Sequence, residues 1–208
     1  MWQQHSAIRV FRAVDFGFSP DPAYCLWIAH LGNRYIAFKE KLWLKTIASD
    51  IAKDIVEEST GMAVSATYCD PSMDTQTGAD IRTIKDIFEE NGVPMENSIN
   101  NREFYAQSIH QALGEEVEPG LPRLQILKLG CPYLIKTLPH MRYNEKRPNA
   151  MADHKHDHAA VALAYFLISH ASNEQRSFSQ RVVPKWMRPK KPLTDWILGQ
   201  SNVRNLKH

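Results

Sequence analysis

Residues Ala159–Ile168, AAVALAYFLI, are ten consecutive apolar residues. A helix with this composition has no polar side, so it must be enclosed all round, as a buried helix packed on a sheet. It is entered through ADHKHDH, residues 152–158, which carries Asp153, His154, His156, Asp157 and His158. Asp157 and His158 fall at the helix start, where the helix dipole favours negative charge. Helix-end electrostatics accounts for one such aspartate. A cluster of acid and imidazole at the mouth of a wholly buried helix asks for more, because ionic groups next to a core need a partner.

Two other apolar stretches also end in an aspartate. Ile8–Val14 alternates as a strand entering a core, Asp15 follows, and Gly17, Pro20 and Pro22 break the pattern. Met62–Cys69 is a shorter run closed by Asp70, Pro71 and Ser72. A carboxylate where a buried strand surfaces is either tied into an Asx turn or faces a cation. Asp21 and Asp74, close to the two strand ends, are read as turn residues.

Between these points the pattern is that of an α/β protein. Tyr24–His30 and Arg34–Leu44 read as strands joined by a Gly32-Asn33 turn, making an antiparallel meander with the first strand. Ile47, Ala48, Ile51, Ala52, Ile55 and Val56 recur at helical spacing, opposite Lys53, Asp54, Glu57 and Glu58. Further helices are predicted over Asp80–Asn91, over Arg102–Leu113 with Asn100 or Asn101 as N-cap, and over Cys131–Met141 starting at Pro132. Leu124–Leu129 reads as a strand, and Gly114–Pro122 and Asn144–Ala150 as loops. Trp27 and Trp43 read as core.

Composition narrows the class without choosing a partner. With 208 residues, 43% hydrophobic, and a net charge of +2, the chain suits one globular domain with an additional arm. Cys25, Cys69 and Cys131 are far apart and odd in number, which suggests buried thiols in a reducing compartment rather than a disulfide frame or a zinc site. No apolar run approaches the ~18 residues of a membrane span, and the first residues lack the pattern of a secretion signal. The G-x-x-x-x-G-K-[ST] phosphate loop does not occur, so no nucleotide cofactor is expected in this chain.

Three carboxylates gathered at one sheet edge repel one another, and divalent cations held by oxygen ligands relieve them. Two such ions can activate water and clamp a scissile phosphate. Asp15, Asp70 and Asp157 are the candidate catalytic and metal-binding acids.

The order of these elements resembles the ribonuclease-H-like superfamily, and within it the nuclease domain of the large terminase subunit of tailed bacteriophages. The residues that carry the likeness are VDFGFSPDPA around Asp15, YCDPS around Asp70, NNREFYAQSIHQAL, GCPYLIKTL and DHKHDHAAVALAYFL. The last resembles a D-H-x-x-D-A-L-R-Y motif, matched here by Asp157, His158, Ala162, Leu163 and Tyr165. Its second acid falls on Val161 and its arginine on Ala164, so the third ligand is open among Asp157, Asp153 and His158. His154 and His156 are read as solvated.

The resemblance implies a mixed central sheet, an antiparallel meander plus parallel strands, flanked by helices over residues 1–171. It implies a metal-dependent endonuclease, with two Mg²⁺ or Mn²⁺ ions, cutting double-stranded viral DNA concatemers during packaging in the bacterial host cytoplasm. A terminase ATPase domain, a small terminase subunit and a portal are its implied partners, with the present chain matching the nuclease half of a large subunit. Arg102, Lys128 and Lys136 are candidate contacts to the DNA backbone. Residues 172–208, basic and punctuated by proline, form a partly flexible arm that reads as docking on another packaging component through Trp196-Ile197-Leu198, as neutralising phosphates or as simply disordered. A junction resolvase or transposase-type nuclease, and a cleavage-impaired docking module, are the competing readings.

Overall fold

Successive residues of the first strand face two different cores. In β1 (Arg9–Asp15) Phe11 and Ala13 belong to one hydrophobic cluster, and Val10 and Val14 to the other. A strand buried on both faces must be sandwiched between layers of helices. The computed structural model describes residues 8–76, 82–147, 150–152 and 156–179, and it has this three-layer form.

β2 (Ala23–Leu31) and β3 (Arg34–Trp43) continue from β1 as the predicted antiparallel meander. Gly32, at φ 63°, supplies the left-handed residue of the tight turn between them. β4 (Val64–Cys69) lies parallel to β1 on its other side. The short β5 (Glu96–Asn97) pairs with the end of β4, and β8 (Leu124–Ile126) runs parallel to β3, giving the order β5-β4-β1-β2-β3-β8. A Cβ on Gly130 would lie 1.9 Å from the Phe38 carbonyl oxygen, so only glycine lets the chain leaving β8 cross β3 this closely.

One face of the sheet is covered by α1 (Ala48–Glu58) and α2 (Ile84–Glu90), through Ile51, Ile55 and Phe88. The other carries α3 (Arg102–Gly114), α4 (Pro132–Thr137) and α5 (His158–Ser179), whose Leu163 and Phe166 are fully buried and contribute on the order of 2 kcal/mol each. Cys25, Cys69 and Cys131 are buried free thiols, and Trp27 and Trp43 are core, as expected. No helix among the described residues is long and apolar enough to cross a membrane.

Several boundaries differ from the sequence reading for local reasons. α2 begins at Ile84 rather than Asp80 because Thr83 and Asp86 close a capping box, with Asp86 N donating to Thr83 Oγ1 at 3.0 Å and Thr83 N to the Asp86 carboxylate at 2.8 Å. The helix predicted over Cys131–Met141 gives way to a 3₁₀ turn at Leu138–His140, since Pro139 has no N–H with which to continue it. Gly114–Pro122, read as loop, contains a small hairpin, β6 (Glu116–Glu118) with β7 (Leu121–Pro122), turned through Gly120 at φ 74°. The compact body extends to Ser172, and α5 continues beyond it to Ser179, so the first residues of the predicted arm are helical. The rest of the arm, including Arg181, Lys185, Trp186 and Trp196-Ile197-Leu198, lies outside the described residues, as do Asp80, Asp153 and His154.

Candidate functional site

β1 and β4 are parallel neighbours with Val14 opposite Cys69, so the residues that leave them, Asp15 and Asp70, emerge side by side. Alternation decides which way they point. Phe11, Ala13, Ala66 and Tyr68 face α5, and Asp15 and Asp70 continue that series. The start of α5 supplies the third acid: Asp157 immediately precedes the helix, its carbonyl accepting from Val161 N at 2.8 Å. Asp15, Asp70 and Asp157 together line a cavity of about 560 Å³ at the carboxyl end of the strands, the edge at which open α/β sheets bind ligands.

Each acid is held by a donor from another part of the fold. His158 Nδ1 lies 2.8 Å from Asp15 Oδ2. Arg102 Nη2 donates to Asp157 Oδ2 at 3.2 Å. Tyr165 donates its hydroxyl to Asp70 Oδ2 in a short hydrogen bond, Ser72 N donates to Asp70 Oδ1 at 2.6 Å, and Asn100 Nδ2 approaches Oδ2 at 3.4 Å. Asn100 is itself fixed by the Tyr105 hydroxyl at 2.8 Å. Of the two candidate caps for α3, Asn101 is the one that serves, accepting from Glu103 N, and Asn100 belongs to the site.

Burial pushes the Asp15 carboxyl up from its ordinary pKa, and Asp157 and Asp70 add to the rise while His158 opposes it. His158 is also raised: burial alone would lower it, but the hydrogen bond and charge of Asp15, with Asp157 and Asp21, outweigh burial. The Tyr165 hydroxyl is pushed far above its usual range by burial and by the neighbouring Asp15 and Asp70, so it remains a donor at neutral pH.

Asp21, read as a turn residue, also reaches this cavity and comes within 4.0 Å of His158 Nε2. A Cβ on Gly17 would lie 2.7 Å from the carbonyl oxygens of Asp21 and Pro22, so glycine allows the loop to fold back and bring Asp21 round. Asp15 is thus not consumed by a local Asx turn. Asp74 does stay in its 3₁₀ turn, accepting from Asn97 Nδ2 at 3.1 Å. Val161 lines the cavity at 3% exposure, in the place of the motif's second acid. Among the DNA-contact candidates, Arg102 lines the cavity, Lys128 is exposed away from it, and Lys136 lines a separate cavity with His140, Arg142 and His156.

Tyr165, Asn100, Tyr105 and Asp21 carry site roles that the sequence reading did not assign. For Tyr165 a signal existed: His158, Val161 and Tyr165 share one helical stripe at i, i+3 and i+7.

The donor set fits a divalent cation. It offers hard carboxylate oxygens around an open cavity, and the buried His158 Nε2 has no hydrogen-bond partner among the described residues. Among the described residues no three acid, His or Cys groups stand close enough together to form a ready-made metal site, so the acids share the cavity wall without a common coordination sphere.

This architecture, a mixed sheet with an antiparallel meander, parallel outer strands and helices on both faces, is an α/β fold. Within that class it is the fold of large-terminase nuclease domains. The nuclease domain of the P22 large terminase superposes with a TM-score of 0.63 at 11% identity, over 82% of this chain and 85% of that one. The nuclease domain of the bacteriophage SPP1 large terminase, solved with bound Mn, gives a TM-score of 0.56 at 18% identity, over 79% and 86%. The large terminase of a thermophilic bacteriophage gives 0.61 at 12% identity; the match covers 80% of this chain but only 40% of that protein. No protein-family model and no curated protein matches the sequence.

Proposed function

We propose that the chain is a divalent-metal-dependent DNA endonuclease, the nuclease part of a phage large terminase that cuts double-stranded concatemers during packaging. The observation that carries this reading is the convergence of Asp15, Asp70 and Asp157 on one cavity in a terminase-nuclease fold. Asp15, Asp70 and Asp157 would hold Mg²⁺ or Mn²⁺, with His158 as the nitrogen donor and Asp153 as a further carboxylate. The SPP1 domain with bound Mn supports that choice of metal. Bound there, the ions would supply water activation and charge neutralisation at the scissile phosphate.

The protein's own groups set the stage for that chemistry. Tyr165, Ser72 N and Asn100 fix the Asp70 carboxylate, and His158 orients Asp15. Arg102, beside Asp157, presents a fixed cation at the cavity wall where a phosphodiester would lie. Lys128 and Lys136 would extend the backbone contact outside it. A terminase ATPase domain, small terminase subunit and portal are the proposed partners within a phage packaging complex in the host cell.

Asp15→Asn and Asp70→Asn are each expected to abolish plasmid cleavage in Mn²⁺ while leaving circular dichroism and thermal unfolding near wild type. Wild-type cleavage by Asp15→Asn would remove the assignment. Val161 favours a second reading, a cleavage-impaired DNA-binding or docking module: its methyl groups occupy a position where a carboxylate would complete the acidic wall. Calorimetric titration with Mn²⁺ alongside a nicking assay separates the two, because the module would bind DNA without cutting it.

A further inference from the structure

Arg12 sits in the middle of β1 on the side opposite the acids, and it is 4% exposed. Its Nε donates to Thr67 Oγ1 at 2.9 Å, from the residue directly across in β4, and its Nη1 donates to Ser59 Oγ at 3.2 Å, just beyond α1. Ser59 also accepts from Trp27 Nε1 at 2.9 Å and donates to the Ile55 carbonyl at 2.6 Å, so its hydroxyl is fully used. Every one of these partners is neutral. Among the described residues no acid pairs with Arg12: Glu58, next to Ser59, is held by Lys39 at 2.6 Å and Lys41 at 2.8 Å. Cys25, which Arg12 also senses, has its thiol pushed up by burial and stays uncharged. A guanidinium buried without an anion is among the costliest arrangements in a protein interior.

The same arginine lines a cavity of about 460 Å³ between the end of α1 and the start of β4, with Thr60, Met62, Ser65, Thr67 and Pro94. No acidic residue lines it among the described residues. The cavity lies along the outer edge of β4, where β5 pairs only with Tyr68 and Cys69, so the Val64–Thr67 edge has no strand across it among the described residues. Arg12 Nη2 has no protein acceptor among the described residues, and Thr67 Oγ1 accepts from Arg12 while its own hydrogen is available to donate.

We propose that this cavity binds a small oxyanion, a phosphate or carboxylate group, held by the Arg12 guanidinium and the Thr67 hydroxyl. The site is independent of the acidic cavity and takes a ligand of opposite charge. A guanidinium presenting two N–H groups and a hydroxyl beside it match the paired oxygens of either anion.

The test is thermal unfolding of the full chain without divalent ions. Inorganic phosphate, dimethyl phosphate, acetate and chloride are titrated separately at matched ionic strength. At about a hundredfold excess over Kd, a native-state ligand should raise Tm by roughly 5–10 °C beyond chloride. That saturable shift should vanish in Arg12→Met, weaken in Thr67→Val and persist in Asp15→Asn. Inorganic phosphate acting most strongly identifies a free phosphate, dimethyl phosphate a phosphodiester and acetate a carboxylate, and each of these supports the site. No shift beyond chloride in the wild type, or an equal shift in Arg12→Met, overturns it. If Arg12→Met does not fold, the Arg12 Nε–H resonance of the labelled wild type takes its place: it should move on titration with the active anion, and an unmoved resonance overturns the proposal.

Discussion

Val161→Asp is the substitution whose effect depends most directly on what the acidic cavity is for. Val161 is buried at 3% exposure, lines the cavity, and lies one helical turn after Asp157. Removing its buried methyl groups costs about 1.5–2 kcal/mol. The new carboxylate would stand roughly 6 Å from Asp157 at i,i+4 spacing. At an effective dielectric of about 20, that repulsion is about 3 kcal/mol, unless the new acid takes up a proton. In EDTA the variant should therefore unfold about 10–15 °C below wild type, from a total of roughly 4–5 kcal/mol. A divalent cation in the cavity would cancel the repulsion and add binding free energy to the native state alone. In millimolar Mn²⁺ the variant should recover at least half of its deficit, gain more Tm than wild type does, and cut plasmid faster than wild type. Scanning fluorimetry in EDTA and in Mn²⁺ measures this directly. An equal deficit under both conditions would show that position 161 does not face a cation site, and the metal assignment would fall with it.

Two further outcomes test the scaffold. Glu40 accepts from the Tyr24 hydroxyl at 2.7 Å and from Leu134 N at 3.0 Å, and also from Tyr133 N, so one carboxylate caps α4 and satisfies a buried phenol. Glu40→Ala should lower the urea midpoint by the equivalent of about 2–4 kcal/mol with an unchanged m-value; a loss under about 0.5 kcal/mol would refute the capping role. Glu58 is held at a pKa of about 2, below its ordinary 4.5, by hydrogen bonds from Lys39 and Lys41. A lowered folded pKa contributes stability that is present above about pH 4.5 and is lost as pH falls towards about 2. Because the pair is partly solvated, its worth is on the order of 1 kcal/mol. Glu58→Gln should be less stable than wild type at neutral pH, with the two chains converging at about pH 2 in urea titrations. Parallel curves across that window would exclude the linkage.

The parts of the fold that were legible in the sequence are those whose signal is local. The meander, α1 and the buried stretch of α5 come from alternation, helical spacing and unbroken apolarity, and the three acids were conspicuous because each stands at one end of an apolar run. Apart from Ser72, two residues after Asp70, the partners of those acids were not legible. Arg102 and Asp157 are 55 residues apart, Tyr165 and Asp70 are 95 apart, and Asn100 and Asp70 are 30 apart; only the packing of α3 and α5 on the sheet brings them together. β5 and β6, at two and three residues, are too short to show a period at all. Arg12 went unread for a different reason. Alternation places it on a buried face but assigns it no purpose, and its isolation from acids becomes visible only once Glu58 is seen to belong to Lys39 and Lys41.

The partners of the acids also decide which substitutions can separate chemistry from folding. Tyr165 and Ser72 N donate to different oxygens of Asp70, so an asparagine at position 70 keeps an acceptor for one of them and not for both, whereas at position 15 its oxygen can accept from His158; the amides remove charge and keep part of the hydrogen bonding. Alanine at position 70 would instead leave the Tyr165 hydroxyl, whose residue is 2% exposed, with no acceptor there, at a cost of about 1–3 kcal/mol. Loss of cleavage in Asp70→Ala would then mix a packing defect with a lost ligand. Asp70→Asn, folded as wild type and inactive in Mn²⁺, isolates the carboxylate charge. The difference in Tm between the two variants, about 2–10 °C, should persist in EDTA, because the hydrogen bond that distinguishes them belongs to the protein and not to an ion.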